Sequence, residues 1–233
     1  MDSAVRLIDW WKKNGRDFPW RRESDPYKIL VAEMMLHRTR AYNVVPVYVQ
    51  FINTYGSVKA VAEACEEDIR RIMKPLGLTR RVDKFIETFR LVAKEAHGKI
   101  PLEKDSLLKL PGIGDYISSA FRTFYGGNAD PLIDTNTVRV LCRLKGKPIN
   151  DSTRKGNEIK TIYTDFSDHL DSREIGYALI DFGSNICRPS KPQCKICPLL
   201  DQCRTGNPMN RSMGIPNIRP YKKEAKNLQV SYL

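Results

Sequence analysis

Four cysteines fall within one short stretch, CRPSKPQCKICPLLDQC. They are Cys187, Cys194, Cys197 and Cys203, at the spacing C-x6-C-x2-C-x5-C. Thiolates at such intervals can converge on one metal centre. The Cys194/Cys197 pair would supply two ligands and the outer two would close the cage. Pro189, Pro192 and Pro198 stiffen the loop. Zinc also accepts four thiolates, but its sites usually combine two close pairs, and here only one pair is close. The spacing therefore favours an iron–sulfur cluster, with zinc the competing ion. Arg188, Lys191, Lys195 and Arg204 lie in or beside the same loop, and a metal-stapled loop would hold them rigidly toward phosphates. Cys65 and Cys142 lie in helical patterns and read as packing residues.

A second chemical signal is LKLPGIGDYISSAFRTF, Leu108 to Phe124. Gly112 and Gly114 flank Ile113 between two helical stretches. Such a turn leaves backbone N–H groups at a helix start with no side chain blocking approach, so a phosphate oxygen can sit on them. The Leu-Pro-Gly-x-Gly form between helices reads as a helix–hairpin–helix. Twenty residues after Gly114 comes Asp134, in PLIDTNTVRVLCRL, at the expected start of an apolar helix. Helix N–H groups there keep a carboxylate ionised. Elsewhere a plain N-cap would be the default reading.

These groups need a framework. The chain has 233 residues, 41% of them hydrophobic, which is enough for a real core and excludes wholesale disorder. Thirty-nine Lys and Arg against twenty-seven Asp and Glu give a charge of +12, which favours a polyanionic partner, nucleic acid before a membrane surface. No apolar run approaches the roughly twenty residues that span a bilayer. The opening MDSAVRLIDWWKKNG carries Asp2 and Asp9 and lacks a long apolar region, so it reads as an amphipathic helix rather than a secretory signal. Its apolar side would carry Val5, Ile8 and Trp10 or Trp11, with Gly15 as the stop. An intracellular protein follows, and with it an argument against disulfides.

The remaining pattern is helical. Helices are expected over 27–36, 41–55, 58–64, 66–73, 82–96, 106–110, 116–124, 135–144 and 173–182. A polar loop is expected between the last two. No alternating run is bounded by hairpin turns, so the expected class is all-α. Residues 204–233 form a basic tail of partial order, with six basic residues and one acidic residue.

The order LPGIG, IDTN and four-cysteine loop resembles the helix–hairpin–helix DNA glycosylases of the endonuclease III superfamily. RDFPWR (Arg16 to Arg21), DPYKILVAEMMLHRT (Asp25 to Thr39) and ALIDFGSNIC (Ala178 to Cys187) extend the likeness from about Trp10 to Cys203. The resemblance implies a two-lobed fold. Residues 25–130 would form a helical-barrel lobe containing the hairpin, and 1–24 with 131–203 a lobe carrying a [4Fe-4S] cluster on the four cysteines. The cleft between them would flip a base out of duplex DNA.

In that family's chemistry Asp134 stabilises the oxocarbenium-like sugar and positions water, and Asn136 helps hold it. Glu33 contacts the flipped base. The position of Tyr116 carries lysine in members that also cut the strand through a Schiff base. Here it is Tyr, and no lysine lies between Lys109 and Lys145. The implied enzyme is a monofunctional hydrolase leaving an abasic site. Gly112, Ile113 and Gly114 would hold phosphate. His37, Arg38, Thr39, Arg40 and Leu78 would fill the vacated stack or read the opposite base.

Within the superfamily two relatives compete. Adenine glycosylases usually read Gln-Gln-Thr at His37-Arg38-Thr39 and Gly-Leu-Gly-Tyr-Tyr at Gly77-Leu78-Thr79-Arg80-Arg81, and most add a large recognition domain. Archaeal thymine/uracil mismatch glycosylases read Arg-Arg-Thr and Gly-Leu-Ser and end near the cluster. The second pattern is nearer, although His37 replaces Arg and Arg80-Arg81 leaves the wedge loop one residue short. The thirty residues after Cys203 are expected to leave no room for the extra domain. The expectation is removal of thymine and uracil mispaired with guanine. The adenine reading is the first alternative, and a non-catalytic iron–sulfur DNA-binding protein the second. The enzyme would act as a monomer on mispaired double-stranded DNA, without a membrane, and meet a downstream abasic-site endonuclease only transiently.

Overall fold

The protein's computed structural model describes residues 2–77, 79–150, 153 and 156–211. Among the described residues there are helices and no strand. They are α1 (Ser3–Asn14), α2 (Pro26–Leu36), α3 (Ala41–Thr54), α4 (Val58–Ala62), α5 (Glu66–Met73), α6 (Thr79–Glu95), α7 (Lys104–Leu108) and α8 (Asp115–Phe124). After them come α9 (Thr135–Lys145), α10 (Asn157–Ser167), α11 (Ser172–Asn185) and α12 (Pro208–Arg211). None of the described helices is long and apolar enough to cross a membrane. Leu78 and residues 212–233 of the basic tail lie outside the described residues.

The centre of the molecule is α2. Asp25 caps it by accepting from Tyr27 N at 2.9 Å, and Pro26 stands where its missing N–H costs nothing. Tyr27 and Ile29 to Met35 are all buried, so this helix is enclosed on every side. It packs on α3 and α8. Helix α6 closes over α4 and α5, and α7 packs on α8. On the other side α11 packs on α1, α9 and α8, with α10 against α9. Helix α11 thus joins both groups of helices.

Three expectations need correction. Cys65, expected as a packing residue, is exposed just before α5. The stretch read as a polar loop before Arg173 contains α10, whose buried Ile159, Tyr163 and Phe166 lie at helical spacing among many polar residues. That thin stripe was outweighed in the sequence by its charged neighbours. In α1, Ile8 is buried as expected and Trp10 and Trp11 pack against the core, while Val5 is half-buried and Ala4 and Leu7 are the fully enclosed positions.

The N-terminal segment is tied down by one buried acid. Asp181 on α11 is wholly enclosed. It accepts from Trp11 Nε1 (3.2 Å), Arg16 N (2.9 Å), Arg16 Nε (2.6 Å) and Arg21 Nη1 and Nη2 (2.7 and 2.8 Å). Burial alone would raise its pKa, but the Arg21 and Arg16 guanidiniums hold it below the ordinary carboxylate range. RDFPWR therefore clamps the chain onto α11 and leads it into α2.

Candidate active site

Asp134 caps α9. Its Oδ1 accepts from Thr137 N at 2.7 Å and its Oδ2 from Asn136 Nδ2 at 2.9 Å. Both oxygens are held, so the carboxylate cannot swing. Asn136 is fixed in turn, because its Oδ1 accepts from Arg139 Nη2 at 2.8 Å. Arg139 is buried, and it also donates to Thr135 O (2.9 Å), Gly183 O (2.7 Å) and Cys187 O (2.7 Å). One guanidinium thus connects the Asp134 cap to α11 and to the first cysteine of the loop. Gly183 permits this approach: a Cβ there would lie 2.6 Å from Asn136 Cβ. Sequence reasoning did not single out Arg139. Its one signal was a basic residue in an apolar helix five residues after Asp134.

Glu33 enters from α2. Only 4% of it is exposed, and burial lifts its pKa to about 8 against a lowering by Arg21. At neutral pH its carboxyl keeps its proton. Tyr116, half-buried at the start of α8, has its pKa pushed far up, first by burial and then by the charges of Glu33 and Asp134. Tyr163 and Tyr177 contribute to the same effect. Asp134 and Glu33, from opposite helical groups, are thus both near enough for their charges to act on Tyr116. Tyr177 lies flat on Phe124 at 4.0 Å, with Arg21 over its ring at 4.3 Å, and it too feels Glu33.

The hairpin sits beside this group. Gly112 has φ +78, a left-handed conformation that favours glycine, and a Cβ there would meet Lys84 Cβ at 3.1 Å. Gly114 caps α8 with open space around it. Ile113 is buried, and its N–H donates to Leu110 O at 3.2 Å, so the exposed approach runs over the two glycines and the first turn of α8. The segment after α2 lies close to the hairpin. His37 and Thr39 are half-buried, and Arg38 and Arg40 exposed. His37 and Gly112 line one small cavity.

The four loop cysteines line a separate cavity of about 350 Å³. Gly206 N donates to Cys203 Sγ at 3.2 Å and Arg143 Nη1 to Cys187 Sγ at 3.6 Å. Arg143 also donates to Arg188 O (2.7 Å) and Pro189 O (2.9 Å), which fixes the loop's first turn. Burial pushes the Cys197 thiol up to about 12 and raises that of Cys203. Among the described residues, no three His, Cys, Asp or Glu are grouped as one metal ion would need. Arg188, Lys191 and Lys195 are all exposed on this loop.

This helical fold with a glycine hairpin, a capped aspartate and a sealed acid matches a family model over residues 31–160. The model is that of the HhH-GPD superfamily base excision DNA repair protein. The chain belongs to that superfamily. A thymine-DNA glycosylase of Aeropyrum pernix is 36% identical over 85% of this chain and 91% of its own length. An adenine DNA glycosylase of Mycolicibacterium smegmatis is 31% identical over 92% of this chain but 71% of its own length. The solved structure of a thermostable thymine-DNA glycosylase superimposes with a TM-score of 0.78 at 28% identity. It covers 86% of this chain and 93% of that one.

Proposed function

We propose that the protein is a monofunctional DNA glycosylase that removes thymine and uracil mispaired with guanine and leaves an abasic site. The observation that carries this reading is a pair of unlike carboxyls, from opposite helical groups, whose charges both act on Tyr116. Asp134 is pinned by Thr137 and Asn136, and Glu33 is buried and protonated at neutral pH. The likeness to thymine-DNA glycosylases over most of both chains supports the choice of base.

The chemistry follows from those two states. Breaking a pyrimidine's C–N bond leaves positive charge on the sugar and negative charge on the base. A fixed anion at Asp134 stabilises the first and can orient water toward C1′. A protonated Glu33 can donate to a carbonyl oxygen of the leaving base and reduce the second. Tyr116 stands where an amine would open the route to strand cleavage. Its phenol supplies no Schiff base, so the abasic strand stays intact. Double-stranded DNA would be held at Gly112 and Gly114, at the His37–Arg40 segment and by Arg188, Lys191 and Lys195. The two helical groups, joined through α11, would form the lobes on either side of the flipped base. The enzyme would work inside the cell as a monomer.

Cys187, Cys194, Cys197 and Cys203 would hold a [4Fe-4S] cluster. The support for a cluster over zinc is the spacing, with one close pair rather than two, and all four thiols line one cavity. When bound, the cluster would supply a rigid staple for the basic loop. Iron and sulfide analysis of the purified protein tests that assignment, with zinc as the contrary result.

The decisive experiment is a panel of mispaired duplexes incubated with the protein and analysed with and without alkali. Thymine release from G·T, seen as strand breaks only after alkali, is the expected result. Asp134→Asn should lower the rate by at least about a hundredfold. Full activity in that variant would overturn the mechanism. Adenine release from A·G without thymine release from G·T would overturn the choice of base. A borohydride-trapped adduct would overturn the monofunctional assignment.

A further inference from the structure

The last residue of helix α2 and the three that follow it, Leu36–Thr39, form a turn of an unexpected type. Thr39 N donates to Leu36 O at 3.0 Å, which closes a β-turn over His37 and Arg38. His37 has φ −58 and ψ 109, and Arg38 has φ +62. These angles define a type II turn, whose third residue sits in the left-handed region and is ordinarily Gly or Asn. A bulky arginine there is strained, and a type I turn would relieve it by rotating the central peptide.

That central peptide is held from outside. Arg81, in the first turn of α6, donates its Nη1 to His37 O. This carbonyl is the one that reverses direction between type II and type I. Arg81 is half-buried, and burial and the charge of Arg38 both work against its own charge. The same small cavity is lined by His37, Arg81, Lys84 and Gly112, so turn, helix and hairpin meet along one edge.

We propose that Arg81 is a positioning residue: by holding the His37 carbonyl it selects the type II turn and aims Arg38 at the base opposite the flipped nucleotide. The proposal rests on the reading of the protein as a base-flipping enzyme. It goes beyond that reading by naming the residue that positions Arg38 for that contact. Arg38 presents a planar donor fork, and guanine offers the matching pair of acceptors. Without Arg81 the peptide rotates, Arg38 relaxes to a right-handed φ, and its side chain leaves that direction.

The test measures equilibrium binding to duplexes carrying a tetrahydrofuran abasic analogue opposite guanine or opposite adenine. No base is excised, so the result does not depend on which base the enzyme removes. The wild-type protein should prefer guanine, and Arg38→Ala should lose that preference by about tenfold. Arg81→Ala should lose it to a similar extent, and the double variant should lose no more than either alone. Arg81→Lys, which keeps a cationic donor, should restore part of it. A merely structural role would weaken both duplexes equally and leave their ratio unchanged. An unchanged ratio in Arg81→Ala, additive losses, or no guanine preference in the wild type would each overturn the proposal. Should Arg81→Ala fail to fold, Arg81→Lys and Arg38→Ala still decide it. Failure of the function reading would appear separately, as absence of base release from every mispaired duplex.

Discussion

Asp181 and Glu33 are both carboxyl groups hidden from solvent, one wholly enclosed and the other 4% exposed. Asp181 receives donors from Trp11, Arg16 and Arg21 and is held below the ordinary carboxylate range. Among the described residues, Glu33 has the charge of Arg21, without a hydrogen bond, to set against its burial, and its pKa rises to about 8. The same Arg21 thus acts as a full partner to one acid and a weak one to the other. A buried charge with enough donors is structure. A buried acid left without them keeps its proton and becomes a reagent.

The strongest way to break this contrast is Asp181→Ala. It leaves the largely enclosed guanidiniums of Arg16 and Arg21, 16% and 9% exposed, without their acid, and the expected loss is about 3–5 kcal/mol of stability. Thermal or urea unfolding measures it, and a loss near zero would show that the clamp is not a buried ion pair in solution. Glu33→Gln should do the opposite. The fold should persist, and base release should fall by about a hundredfold or more.

The pH dependence sharpens the same point. Folding raises the Glu33 pKa from 4.5 to about 8, so the native protein keeps a proton that the unfolded chain gives up between those values. Its stabilising contribution is complete below 4.5 and lost as pH rises through about 8. Glu33→Gln should therefore be the more stable protein at alkaline pH, by on the order of a few kcal/mol. The wild-type rate should decline through the same range. A rate that instead climbs across pH 8 would show that Glu33 works as a base. The smallest effect belongs to Trp11→Phe, which removes one of the donors on Asp181 at 3.2 Å and should cost about 1 kcal/mol.

Much of the architecture was legible because it rests on local signals. Asp25-Pro26 marks the start of α2, Asp134 the start of α9, and the glycines of LPGIG the hairpin turn. Each of these is a property of a few neighbouring residues. Helix α10 was not legible, since its apolar positions are few and only their packing against α9 and α1 gives them meaning. The network through Arg139 was equally hidden, because its partners lie 44 and 48 residues away at Gly183 and Cys187.

The sequence by itself determined which residue types the protein has for chemistry: an aspartate at a helix start, a glutamate in an apolar helix, a tyrosine in place of lysine, and four spaced cysteines. Only the tertiary structure decided the state of each. Whether a carboxyl is ionised depends on how many donors reach it and how much water is excluded, and both are set by distant segments. Arg21 and Arg16 reach Asp181 across α11, while α2 is enclosed around Glu33. Arg81 reaches across from α6 to hold a turn that the Leu36–Thr39 residues would not choose alone.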